Sequence, residues 1–156
     1  MNWMLNVFQL IGQIILLVLL VVFSLIMSVY DIRTLEIPDW PFYTSCALVT
    51  LVQGIFFRES VFLHLLGALI LLVLYFLLRK ITHEKLGMGD VCFGLFQGMC
   101  IGLSVIWICL AVEAVTGLIT FAIINLVKKR KGIKIPFIPF MSIGLLTAFI
   151  LDWLVI

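Results

Sequence analysis

The chain has 156 residues, 65% of them apolar and only 12% charged, whereas a soluble domain carries a charged share of about 25%. That composition excludes a soluble globular enzyme. The net charge of +2 points to no nucleic-acid partner. What matters is where the charges fall along an all-α polytopic membrane protein, read as one domain over residues 1–156 with the lipid bilayer as its surroundings.

Leu5 to Val29 is the first apolar run, broken only by the polar residues Gln9, Gln13, Ser24 and Ser28. A signal peptide opens on a basic segment, and no Lys or Arg precedes Arg33 here, so the run reads as a retained membrane helix. A polar connector follows from Tyr30 to Pro38. Proline suits the first turn of a helix, where its missing N–H would be unpaired anyway. Helix two is therefore expected from Pro38 to Phe57, closed by Arg58-Glu59, and helix three from Val61 to Leu78. The connector from Arg79 to Gly89 holds Arg79, Lys80, His83, Glu84 and Lys85.

From Val91 to Val127 the only charge is Glu113. One helix of that length would measure about 55 Å against a hydrocarbon core of about 30 Å. Two helices with a tight turn at Gly102-Leu103-Ser104 fit better. A basic cluster follows (Lys128, Lys129, Arg130, Lys131, Lys134), then a sixth helix from Pro139 to Ile156. With six helices, Arg33, Arg79, Lys80, Lys85 and the basic cluster share one side and Arg58 stands alone opposite. The positive-inside rule then puts both termini outside and these connectors in the cytoplasm.

The stretch with most chemical interest is Gly87-Met88-Gly89-Asp90. A carboxylate at a membrane boundary is costly to desolvate and is a functional candidate by default. The glycines remove Cβ beside it and admit dihedrals closed to other residues. Taken alone, the tetrapeptide equally suits a turn ending in a helix-capping Asp. Asp31, however, falls at the same membrane face. It follows the end of helix one, whose dipole disfavours negative charge, while Asp90 precedes helix four, whose dipole favours it. The dipoles therefore favour a proton on Asp31 over one on Asp90, although Arg33 nearby pulls the other way.

Helix four is expected to be short, about 14 residues at the usual rise. Asp90, Gly94, Gly98 and Gly102 recur every four residues along it and predict close approach of a neighbouring helix. The block from Lys134 to Met141 carries Pro136 and Pro139, which predict an extended approach to helix six. Its backbone from Ile135 to Phe140 offers a substrate an added-strand partner. Asp39 is assigned to the start of helix two. Glu113 must face protein or water, with Gln97 as a candidate partner. The four cysteines (Cys46, Cys92, Cys100, Cys109) lack zinc-ligand spacing, and His64 and His83 stand singly. No metal or cofactor is expected.

Three blocks together resemble the prepilin peptidases, membrane aspartyl proteases of type IV pilin-like precursors. Their D-x5-I-P segment is similar to Asp31 with Ile37-Pro38. Their G-x-G-D segment is similar to Gly87, Gly89 and Asp90. Their I-P-F-G-P-F segment is similar to Ile135 to Phe140, with Pro136, Phe137 and Pro139 matching. Two positions depart from the pattern. Cys92 stands where a basic residue is usual, and Ile138 replaces the glycine of the last block. The cysteine-motif segment of the methylating family members is absent. The resemblance implies a catalytic pair, Asp31 and Asp90, with Gly87, Gly89, Ile37, Pro38, Pro136, Phe137 and Pro139 shaping the site. It implies a prepilin-like or pseudopilin substrate with a short basic leader, cut at the cytoplasmic face of a prokaryotic cytoplasmic membrane. Two other readings stand beside it. One is a small proton- or cation-coupled transporter or channel using Asp31, Asp90 and Glu113. The other is an inactive relative that assists pilus assembly.

Overall fold

The computed structural model describes residues 2–84, 86–128 and 136–155. Lys85, most of the basic cluster (Lys129, Arg130, Lys131, Lys134) and Ile135 lie outside the described residues. Among the described residues there are six helices and no strand: α1 (Asn2–Thr34), α2 (Asp39–Phe56), α3 (Val61–Ile81), α4 (Met88–Ile101), α5 (Ile106–Lys128) and α6 (Ile138–Val155). Val7–Thr34 and Val61–Ile81 are long and apolar enough to cross a membrane, while Met88–Ile101, Ile106–Thr120 and Ile138–Leu154 are apolar but shorter.

The divided apolar run appears as expected, with α4 and α5 parted at Gly102. That residue has φ 63°, ψ −157°, a conformation open essentially to glycine alone. Helix α1 runs further than expected, to Thr34, and so carries Asp31 inside its last turn. The Thr34 hydroxyl donates to the Tyr30 carbonyl at 2.8 Å, Arg33 sits where the dipole favours a cation, and Leu35 at φ 56° turns the chain out of the helix. Pro38 occupies the position just before α2 rather than its first turn.

The prolines of the last block also act differently from the expectation. Helix α6 begins at Ile138, so Pro139 falls in its first turn, where a missing N–H costs nothing. In the described part of the block only Pro136 and Phe137 lie outside the helix. An added strand along the whole of Ile135–Phe140 is thereby ruled out over its helical half.

Helix α4 is the centre of the bundle and packs against α2, α3 and α6. Ten of its 14 residues are buried, Phe93 and Phe96 completely. The glycine stripe works as the spacing predicts. Gly98 lies on the backbone of Gly67 and Ala68 in α3, Gly94 lies under the Tyr75 ring, and Gly102 faces His64. The outer surface is apolar, with Phe62, Trp107, Leu118 and Leu154 among its most exposed residues. The buried set includes Ser24, Ser28, Gln53, Gln97, Glu113 and Ser142. Apolar groups outside and polar groups turned inside are what a lipid surround selects, although the Ser24 hydroxyl and the Gln53 and Gln97 amide oxygens have no partner among the described residues.

Candidate active site

Asp31 and Asp90 come from helices far apart in sequence, and both are buried, at 7% and 8% exposure. The charge of Asp31 reaches Asp90. Asp90 is the third residue of α4 and reaches back to accept the Gly87 N–H at 2.9 Å. An acidic residue at this position commonly caps its own helix that way. Gly87 has ordinary extended dihedrals, φ −66° and ψ 156°, so the glycine-only conformation expected there is not used. Space is the reason for the glycines. A Cβ on Gly87 would stand 3.2 Å from Asp90 Oδ2, and one on Gly89 would stand 2.6 Å from Ile37 Cδ1. The first and second sequence blocks thus meet through Ile37 and Gly89.

The third block meets the first through a hydrogen bond. Ile138, the first residue of α6, donates its N–H to Asp31 Oδ2 at 3.0 Å. One turn deeper, the Ser28 and Ser142 hydroxyls pair at 3.0 Å, and Ser142 also donates to the Ile138 carbonyl at 2.9 Å. Together these bonds form a polar seam between α1 and α6. They set a second helix dipole against that of α1, which favours a proton on Asp31. That residue does end α1, but its carboxylate sits at the N-terminus of α6, where the dipole favours negative charge as it does for Asp90. Both acids therefore have a helix N-terminus and one backbone N–H.

Ile37, Pro38 and Gly89 line a pocket of about 140 Å³ together with Met27, Asp39, Phe42 and Cys92, and neither Asp31 nor Asp90 is among its lining residues. Pro136, Phe137 and Pro139 surround the Ile138 N–H in sequence, with Phe137 packed against the core. Asp39 is exposed as the first residue of α2. Arg79 was not singled out from sequence, yet its charge acts on Asp90. It also pairs with Glu84 at 3.9 Å. Nothing local in its connector distinguishes it from Lys80.

The Gly89–Ile37 contact gives a graded expectation. Gly89→Ala brings its methyl to 2.6 Å from Ile37 Cδ1 and 3.1 Å from Cγ1, so the Ile37 side chain must shift and the melting temperature should fall by a few degrees at most. Gly89→Val adds a branch against the same side chain and should lower it clearly. Thermal unfolding in detergent of the two variants checks the order.

A sequence model of the type IV leader peptidase family matches residues 18–151, a span that holds all three blocks. No curated protein and no solved structure matches the chain.

Proposed function

This chain belongs to the type IV leader peptidase family, a family of membrane-associated proteases, and on that premise we propose that it is an aspartyl endopeptidase acting through Asp31 and Asp90. The reading takes residues 1–156 as a single transmembrane peptidase domain of six spans with both termini outside. Its substrate is a prepilin-like or pseudopilin precursor whose short basic leader lies at the cytoplasmic face. The observation that supports this is the common setting of the two acids: both are buried and each accepts a backbone N–H at a helix N-terminus.

Two like charges held close do not both ionise readily, so the pair shares one proton. The ionised acid takes a proton from water as that water attacks the scissile carbonyl. The protonated acid gives its proton to the carbonyl oxygen, where negative charge develops. As the tetrahedral intermediate collapses the C–N bond breaks, the proton taken from water passes to the leaving amine, and the hydroxyl proton returns to the acid pair. No covalent intermediate is required. The fixed N–H donors at Gly87 and Ile138 orient each carboxyl before the substrate arrives, which lowers the reorganisation the reaction demands. With the hydrogen bond from Ile138 holding Asp31, the last block serves the acid rather than the substrate backbone.

The test is co-expression of a prepilin-like precursor with this protein, reading leader removal by the change in precursor mass. Release of the leader is expected, and a precursor left intact by folded, membrane-inserted protein would sink the proposal. Asp39→Asn is expected to retain most of the cleavage, because Asp39 lies exposed at the start of α2, on the pocket wall, and is not one of the two buried acids. An Asp39 variant as inactive as an Asp31 variant would redraw the pair.

A further inference from the structure

Glu113 is buried at 2% exposure in α5 and has no part in the mechanism above. Its pairing with Gln97, expected from sequence, is present, and three other helices converge on it. The Tyr75 hydroxyl of α3 donates to Oε2, while the Gln97 amide of α4 and the Cys109 thiol of α5 donate to Oε1, the thiol at 3.0 Å. The same Gln97 amide also donates to the Met141 carbonyl of α6 at 2.9 Å. Room for the carboxyl exists because residue 144 of α6 is glycine. A Cβ there would stand 2.5 Å from Glu113 Cγ.

The braced positions stand in register with the two acids. Gln97 lies about two turns beyond Asp90 along α4, and Met141 about one turn beyond Ile138 along α6. Between Asp90 and Gln97, the Tyr75 ring covers Gly94 so closely that a Cβ on Gly94 would overlap it. The cluster therefore ties the helix that carries Asp90 to the helix whose first N–H holds Asp31. An unpaired carboxyl in this apolar interior would be costly, so each donor is held firmly in place.

We infer that Glu113 is a positioning residue for the acid pair: through Gln97 and Tyr75 it fixes the register of α4 against α6, and with it the alignment of Asp90 and Asp31. This rests on the proposed peptidase reading. Side chains that only stabilise the bundle change how much protein folds. Side chains that align two acids change the rate per folded molecule, because small displacements of reacting groups carry large rate costs. Substrate docking is left alone in the second case, so the effect falls on kcat and spares KM.

The experiment measures kcat and KM of purified, monodisperse protein on a prepilin-like precursor, scaled to the folded fraction. Tyr75→Phe and Gln97→Leu each cut one strand of the brace and are expected to lower kcat five-fold or more with KM within two-fold. Glu113→Leu should lower kcat further. Glu113→Gln keeps the shape, offers an oxygen to Gln97 and an N–H to the Tyr75 hydroxyl, and should stay within three-fold of the unsubstituted protein. If Glu113→Leu yields no folded protein, the Tyr75 and Gln97 variants decide. Unsubstituted kcat per folded molecule in both would overturn the inference. So would an effect confined to KM, or a Glu113→Gln variant as slow as Gln97→Leu, which would make the ionised carboxylate itself the requirement. Protein that fails to cleave without any substitution sinks the peptidase reading and this inference with it. Normal cleavage with indifferent variants sinks the inference alone.

Discussion

Asp31→Asn and Asp90→Asn are each expected to lower leader cleavage by at least about 10³-fold, within the range removed with a positioned general acid or base. Neither substitution should disturb the fold. The amide oxygen of asparagine can still accept the Ile138 N–H at position 31 and the Gly87 N–H at position 90, so the two capping bonds persist. What is lost is the capacity to ionise and to pass a proton. The measurement is leader release by mass spectrometry alongside thermal unfolding in detergent. Cleavage gone with melting temperatures within a few degrees is the expected pattern. A variant that still cleaves at a tenth of the original rate would exclude that aspartate from the chemistry.

The second large effect is on stability, and it falls at the α3–α4 contact. Gly98→Ala places a methyl group into the backbone of Gly67 and Ala68. Backbone cannot rotate away as a side-chain tip can, so the two helices must separate along their closest line of packing. A cost of about 3 kcal/mol or more follows. For a chain of this size that is a fall of roughly 10 °C in melting temperature. Gly54→Ala is the matched comparison. It lies in α2 with nothing within 4 Å of the added methyl. There the better helix propensity of alanine should leave stability unchanged or raise it by up to about 1 kcal/mol. Equal melting behaviour of the two variants would contradict the α3–α4 packing.

The two acids also illustrate why an electrostatic argument made along one segment can mislead. From sequence, Asp31 had a helix end behind it and only Arg33 nearby to oppose that dipole. In three dimensions the start of α6 lies in front of it, and the dipole of that helix opposes that of α1. The Ile138 N–H that does this belongs to a residue 107 positions away. No spacing rule connects the two. Glu113 was legible as a buried charge in need of a partner, and Gln97 was a sound choice of one. Tyr75, Cys109 and the Met141 carbonyl were not legible, because each sits on an apolar stretch where it reads as ordinary packing.

By itself the sequence determined the number of helices, the turn at Gly102 and the close face of α4. Each depends on local properties: apolar run length, a backbone conformation only glycine adopts, and the recurrence of small residues every four positions. It also placed the chain in its family, because three short blocks preserve their order and internal spacing. The tertiary structure alone decided that α1 carries Asp31 to its last turn and that α6 begins at Ile138 to hold that acid. It also decided that four helices meet at Glu113. These features depend on how helices are set against one another. That register is fixed by the sum of many packing contacts and a few buried hydrogen bonds between residues far apart in the chain, and no single segment encodes it.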